Sequence, residues 1–363
     1  MEKILLQNDW DLLTQFLPQG WEDQAYRSGA IQRQRKITSA ETLLRLFLIH
    51  FADGCSLRET VTRAKQGDII NISDVALLKR LQSSSEWLRW MALEMLKTKH
   101  RFKVPVYLSD YNVKTVDASV ISEPGSTGTD WRLHYCLKLF TLQCDQFMIT
   151  RQKTGESFTN FKVSKGDLLI GDRAYGYLKG LKHIRQNDGD FLARIRAKAF
   201  NIYDSNNKKI KLIRLLKPLP IGQIKELEVY ADINAESKFK MRLIALRKDD
   251  VKAEESIKRA LHEHSKKQRS VNPETLELHR YVILVSSLPD SINSRQIMEL
   301  YRIRWQIELA FKRLKSIMGI GHLPKKDEKS CSAWLHGKLL EAQLVQAIID
   351  EGQLFSPWGY ILR

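Results

Sequence analysis

Over residues 1–100 the apolar positions recur three and four apart, most clearly at 40–51 and 74–96, which predicts amphipathic helices. Within that stretch Ser56 is placed to cap a helix over 57–65, a turn containing Gly67 follows, and Ser73 with Asp74 opens a second helix through Leu81. The pair fits a DNA-reading helix-turn-helix and fits two members of an ordinary bundle equally well, because spacing does not fix their crossing geometry.

Beyond about residue 104 the period changes. Segments 113–121, 131–140 and 146–152 are rich in β-branched and aromatic residues, with turn residues at 123–128 (EPGSTG) and at Cys144-Asp145, so three consecutive strands in a meander are expected. A polar segment, 153–165, leads to the short apolar run 167–171 (DLLIG), which reads as a buried central strand ending at Asp172. A helix is expected over 175–185. Strand candidates at 190–195, 224–230, 240–246 and 281–286 flank a charged helical stretch, 254–267, and suggest a strand-rich insertion. One long helix over 294–318, a Gly-Ile-Gly turn at 319–321 and a last helix near 332–350 complete the pattern.

Composition narrows the class of partner. A chain of 363 residues has room for two or three domains, and 43% hydrophobic with 28% charged residues is the balance of a globular protein. The net charge of +17 draws in polyanions, so nucleic acid is the first partner to consider. The excess is uneven, with 14 Lys+Arg against 12 Asp+Glu in 1–100 but 11 against 5 in 151–200. No apolar run approaches the roughly 20 residues that span a bilayer, and residues 1–10 lack the layout of a secretory signal, so a cytoplasmic protein with no membrane partner is expected. The four cysteines, Cys55, Cys136, Cys144 and Cys331, contain no Cys-x-x-Cys pair and suggest reduced thiols.

Three acids stand out by position. Asp117 lies inside the first strand between Val116 and Ala118, where a carboxylate is costly unless it faces a site, a partner or, at a sheet edge, water. Asp172 ends an apolar strand, where ligands collect in open α/β sheets and where a helix N-cap is the ordinary alternative. On a helix, Tyr301, Arg304, Glu308 and Lys315 fall within an arc of roughly 60°. Beside them Leu300, Ile303, Ile307, Ala310, Phe311, Leu314 and Met318 form the apolar stripe that anchors the helix. Taken alone, that polar column is equally a solvated face with an Arg304–Glu308 ion pair. Arg173 fits a phosphate contact or a local ion pair. His134 and His322 read as structural or surface histidines.

The string YRIRWQIELAFKRLK, with Tyr301-x2-Arg304-x3-Glu308-x6-Lys315, resembles the Tyr/Arg/Glu/Lys signature of the DDE transposases encoded by insertion sequences of the IS-four type. The strings TVDAS at Asp117 and IGDRAY at Asp172 resemble the regions of that family's first two catalytic aspartates. SLRET and SEWLRW resemble its DNA-binding region, so the similarity runs along nearly the whole chain.

The resemblance implies an α+β fold with an RNase H-like catalytic core, a mixed sheet flanked by helices, carrying a helical N-terminal domain and a β-rich insertion. Its expected division is a helical DNA-binding domain at 1–103, core at 104–190, insertion at 191–290, and core with C-terminal helices at 291–363. It implies metal-dependent cleavage and strand transfer at transposon ends, with Asp117, Asp172 and Glu308 holding two Mg²⁺ ions for which Mn²⁺ substitutes. Tyr301, Arg304, Lys315 and Arg173 would contact DNA. The partners implied are double-stranded DNA, as terminal inverted repeats and target, and a second copy of the chain in a homodimeric synaptic complex at the nucleoid. The alternatives are a transposase-derived DNA binder without catalysis and a general RNase H-like nuclease. Two departures stand out. All eight Trp lie outside 173–300, where some relatives carry a base-stacking Trp, and the chain stops at Arg363 where related chains continue, which suggests shortening.

Overall fold

The computed structural model describes residues 10–11, 13–32, 36–95, 104–126, 130–141, 143–196, 199–232, 238–266, 268, 270, 272–316, 319–321, 323–324 and 326–354. The N-terminal part of the chain carries the helices α1 (Trp21–Arg27), α2 (Ala40–Ala52), α3 (Leu57–Gln66), α4 (Asp74–Ser83) and α5 (Ser85–Met95). Their starts are where the cap residues put them. Ser56 Oγ accepts from the Glu59 N–H at 3.2 Å, and Ser73 Oγ accepts from the Ala76 N–H at 3.2 Å. The expected single helical stretch over 74–96 is divided at Ser84, which is buried and donates its hydroxyl to the Arg80 carbonyl at 2.7 Å. That bond draws the chain off the helical path.

These helices close on α12 (Glu328–Leu354), which packs against α2, α4 and α5. The approach to α2 is close enough to require Gly337, since a Cβ there would stand 2.2 Å from Cε2 of Phe51. One residue on, buried Lys338 donates to the Phe51 carbonyl and pairs with Glu341 at 3.0 Å. The SEWLRW string, expected to lie in a DNA-binding region, contributes to this core. Trp87 and Leu88 are fully buried, and Trp87 donates its indole N–H to the Trp21 carbonyl at 2.8 Å.

The helical core continues into one face of an eight-stranded mixed sheet through Trp131, Leu133, Tyr135 and Phe147. The strands are β1 (Asn112–Ile121), β2 (Trp131–Lys138), β3 (Cys144–Arg151), β4 (Asp167–Gly171), β5 (Asp190–Arg194), β6 (Ile224–Ala231), β7 (Phe239–Arg247) and β8 (Tyr281–Ser286), in the order 3-2-1-4-5-8-7-6. β1, β4 and β5 run parallel, and the remaining neighbours pair antiparallel. β1 is a central strand held by β2 and β4, so Asp117 is no edge residue. The helix expected over 175–185 is α6 (Leu178–Gln186), which leads from β4 to β5.

The stretch 191–290 extends the sheet sideways. β5, read from sequence with the strand-rich insertion, is the parallel neighbour of β4, and β8, β7 and β6 add outward from it. Helices α7 (Leu212–Leu216), α8 (Asp250–Lys266) and α9 (Pro273–Leu278) lie among them in sequence.

The long helix expected over 294–318 is two. α10 (Ser294–Ile303) and α11 (Gln306–Ser316) are separated by Arg304 and Trp305, where Arg304 N–H donates to Tyr301 O, Ile307 N–H to Arg304 O and Glu308 N–H to Trp305 O. These i→i+3 bonds interrupt the α-helical ladder. Ile303, placed by helical spacing on the buried stripe, is 38% exposed as a result, while Leu300 and Ile307 stay buried. Among the described residues no helix is long and apolar enough to cross a membrane.

Candidate active site

Asp117 and Asp172 come together because β1 and β4 are parallel neighbours. Their register pairs Thr115 with Ile170, and carrying it two residues further sets Asp117 level with Asp172 just past the end of β4. Asp172 accepts the Ala174 N–H at 2.7 Å, and Asp117 accepts that of Ala118 at 2.8 Å. Burial pushes the Asp117 carboxyl up to about 7, opposed by the Ala118 N–H and Arg304 and reinforced by the negative charge of Asp172.

Glu308 reaches the neighbourhood on α11, whose Phe311 packs on Tyr135 with ring centres 5.8 Å apart. Tyr135 is the cross-strand partner of Asp117, so this contact seats the helix beside the first aspartate. The Glu308 carboxylate is nevertheless turned to Arg304, at 2.8 Å, and its side chain is 60% exposed. Arg304 thus lies between the two acids. Burial works to lower its affinity for its proton, and Tyr301, Glu308 and Asp117 together raise it above the ordinary guanidinium value.

The remaining predicted residues divide. Tyr301 is half-buried with the Arg304 guanidinium 5.8 Å from its ring centre, and burial raises its hydroxyl above the usual phenol range. Arg173 is partly buried, and burial followed by the charge of Arg194 depresses it to about 10. Neither Arg173 nor Arg194 has an ion-pair partner among the described residues. Sequence reading missed Arg194, although its place at the end of a parallel strand is the signal that singled out Asp172. Lys315 is exposed on α11, a turn beyond Phe311. His134 is a structural residue: its ring nitrogens meet Thr150 Oγ1 at 2.9 Å and Asn160 Nδ2 at 3.3 Å, and burial depresses it to about 4. His322 lies outside the described residues.

Two further groups face the aspartates. Glu156, in the loop from β3 to β4, is half-buried and raised by burial and then by Asp172. The Tyr175 hydroxyl is buried, has no hydrogen-bond partner among the described residues, and is raised by burial and by the charges of Asp117, Glu156 and Asp172. Carboxylate and phenol oxygens are hard donors, which suit a cation such as Mg²⁺ rather than a soft metal. Two carboxyls, Asp117 and Glu156, whose protons are held by burial and further by the charge of Asp172, beside a buried hydroxyl with no partner among the described residues, fit a divalent cation. Among the described residues no group of three or more His, Cys, Asp and Glu side chains is yet drawn together tightly enough to hold a metal ion.

Residues 150–341 match the family model described as a transposase DDE domain. The chain is 34% identical over 346 residues to InsL of insertion sequence element IS186A from Escherichia coli strain K12, covering 94% of this chain and 93% of that protein. It is 33% identical over 347 residues to the transposase for insertion sequence element IS421 of Escherichia coli, with the same coverage of both chains. A shorter match, 27% over 217 residues, 54% of this chain and 44% of the other, joins it to the transposase for insertion sequence element IS1151 of Clostridium perfringens.

Proposed function

The chain belongs to the family of DDE-domain transposases, and from that premise we propose that Asp117, Asp172 and Glu308 are the catalytic acids with which it cleaves and rejoins the DNA ends of its own insertion sequence. The observation that carries the reading is the level placement of Asp117 and Asp172 on parallel neighbours, with the Arg304–Glu308 pair beside them. The strand order 3-2-1-4-5, with β2 reversed, supports an RNase H-like core at the centre of the sheet. The Tyr301, Arg304, Glu308 and Lys315 spacing supports a place among the IS-four type.

Transposases of this family use divalent metal ions, and the oxygen donors here suit two Mg²⁺. When bound, such ions activate the attacking oxygen and stabilise the leaving one. The protein's part is positional and electrostatic. Asp117 and Asp172 fix one wall of the site from rigid strands. Arg304 ties Glu308 away until a DNA phosphate offers the guanidinium a two-pronged partner; its transfer frees Glu308 to complete the acid set. Arg173 lies next to Asp172, Lys315 two turns beyond Glu308, and each adds a cation for a flanking phosphate, while Tyr301 adds a hydroxyl. The DNA is double-stranded, at terminal inverted repeats and target, and a homodimer pairs the two ends.

The test uses a duplex carrying the element's own ends, incubated with Mg²⁺. Asp117→Ala, Asp172→Ala and Glu308→Ala are each expected to lower cleavage by about a thousandfold or more, with binding in a gel-shift assay retained. Cleavage that survives any one substitution removes that residue from the catalytic set. An intact chain that binds the ends and cuts with neither Mg²⁺ nor Mn²⁺ is a DNA binder derived from a transposase.

A further inference from the structure

The loop between β3 and β4 is pinned on both sides of Glu156. Before it, the Arg132 guanidinium donates to the Thr154 carbonyl at 2.6 Å, and Asn160 Nδ2 donates to the Gly155 carbonyl at 2.8 Å. After it, Ser157 Oγ accepts the Thr159 N–H at 3.1 Å, and Phe158 is fully buried with its ring centre 5.2 Å from that of Tyr175. Phe158 is pressed against β4 so closely that a Cβ on Gly171, the residue before Asp172, would stand 2.6 Å from it. Glu156 is therefore fixed two residues before a side chain packed on the neighbour of Asp172, close enough for the charge of Asp172 to act on it.

No hydrogen bond or ion pair meets the Glu156 carboxylate among the described residues, and a half-buried charge without a partner is costly. The charges of Arg132 and Arg196 act on it, but neither forms an ion pair with it among the described residues. Glu308, by contrast, is exposed and neutralised by Arg304. A second sign of an absent ligand is the Tyr175 hydroxyl, 1% exposed, unpartnered, and within reach of the fields of Asp117, Glu156 and Asp172.

We propose that Glu156 is a further cation-holding carboxylate of this site, acting with Asp172 from the sheet side through the water shell of a divalent metal ion. The inference rests on the reading of Asp117 and Asp172 as a cation site. Mg²⁺ binds through one or two carboxylates and keeps several waters. A third acid too distant for direct ligation, consistent with no tight three-acid group being present, accepts hydrogen bonds from those waters and orients them. Glu156 then holds the first ion before DNA arrives, while Glu308 is still bound to Arg304.

Mn²⁺ binding to the full chain without DNA, measured by titration calorimetry, tests this independently of cleavage. Glu156→Gln is expected to weaken Mn²⁺ by about tenfold or more, and Glu156→Asp, which keeps the charge, to recover most of that loss. Asp172→Asn should abolish binding, and the exposed α8 substitution Glu254→Gln should leave it unchanged. In EDTA, E156Q should melt no lower than the unsubstituted protein, since it loses an unpaired charge and no bond. Mn²⁺ affinity in E156Q within about twofold of the unsubstituted protein, against the ~10-fold change expected of a water-mediated ligand, overturns the proposal if D172N still abolishes binding. A lower melting temperature for E156Q in EDTA also overturns it, by giving Glu156 a structural role. Unchanged binding in D172N overturns the cation site itself.

Discussion

Asp117→Asn exposes the electrostatic cost of the site as a stability difference with a defined pH window. Unfolded, Asp117 has its ordinary value of 3.8, and folded it is raised to about 7. The folded state therefore holds the proton more tightly. The stability linked to it is fully present below pH 3.8, declines as pH rises through the folded value near 7, and stays lost above it. The difference of about 3 pH units corresponds to roughly 4 kcal/mol as an upper bound, and water reaching the partly exposed carboxyl reduces the expected effect to about 2 kcal/mol or somewhat more. Asn keeps the shape and can still accept the Ala118 N–H, but carries no charge to desolvate or to repel Asp172. In EDTA, D117N should match the unsubstituted protein near pH 4 and melt about 3–5 °C higher at pH 8. Urea unfolding at pH 4, 6 and 8 should show the same divergence. A gap that does not change with pH, or one in which D117N becomes the weaker protein as pH rises, refutes the claim that burial and Asp172 act on this carboxyl.

Gly337→Ala should destabilise by about 2–3 kcal/mol although alanine is the better helix former, because the added methyl meets the Phe51 ring; denaturant titration reads it. Lys338→Met should cost about 3–5 kcal/mol by leaving Glu341 buried and unpaired, and the double substitution Lys338→Met with Glu341→Leu should recover much of that in a double-mutant cycle.

The sheet was legible because its strands advertise themselves. β-branched and aromatic runs at 113–121 and 131–140, and the fully apolar core of 167–171, lie within a residue or two of β1, β2 and β4. What periodicity does not carry is partnership. Nothing in the spacing of 190–195 distinguishes a strand of an insertion from the parallel neighbour of β4, since both demand an apolar run of five residues. The SEWLRW string shows the same limit. Trp87 and Leu88 satisfy a helix that must bury one face against α12, and a resemblance in sequence does not say which surface a tryptophan meets.

The break after Ile303 was illegible because neither proline nor glycine marks it, and the helical pattern runs through Arg304 and Trp305 without a fault. It matters for the site. On one straight helix Tyr301, Arg304, Glu308 and Lys315 would form a fixed column, and the carboxylate would sit where the helix axis put it. With the helix interrupted at Arg304, Tyr301 belongs to α10 and Glu308 to α11, and the guanidinium between them pairs with Glu308 while feeling the charge of Asp117. Glu156 was invisible for the opposite reason. It is a lone acid in a polar loop, distinguished by no period, and the packing of Phe158 on Gly171 ties that loop to the strand before Asp172. Of the acids proposed for the site, Asp117 and Asp172 therefore stand on or just past strands and Glu156 on a loop packed against one, whereas Glu308, on a helix, is held by an ion pair. On the proposed assignment of Glu308 as the third acid, Arg304→Met should leave Mn²⁺ binding at Asp172 intact while freeing Glu308 from its tether.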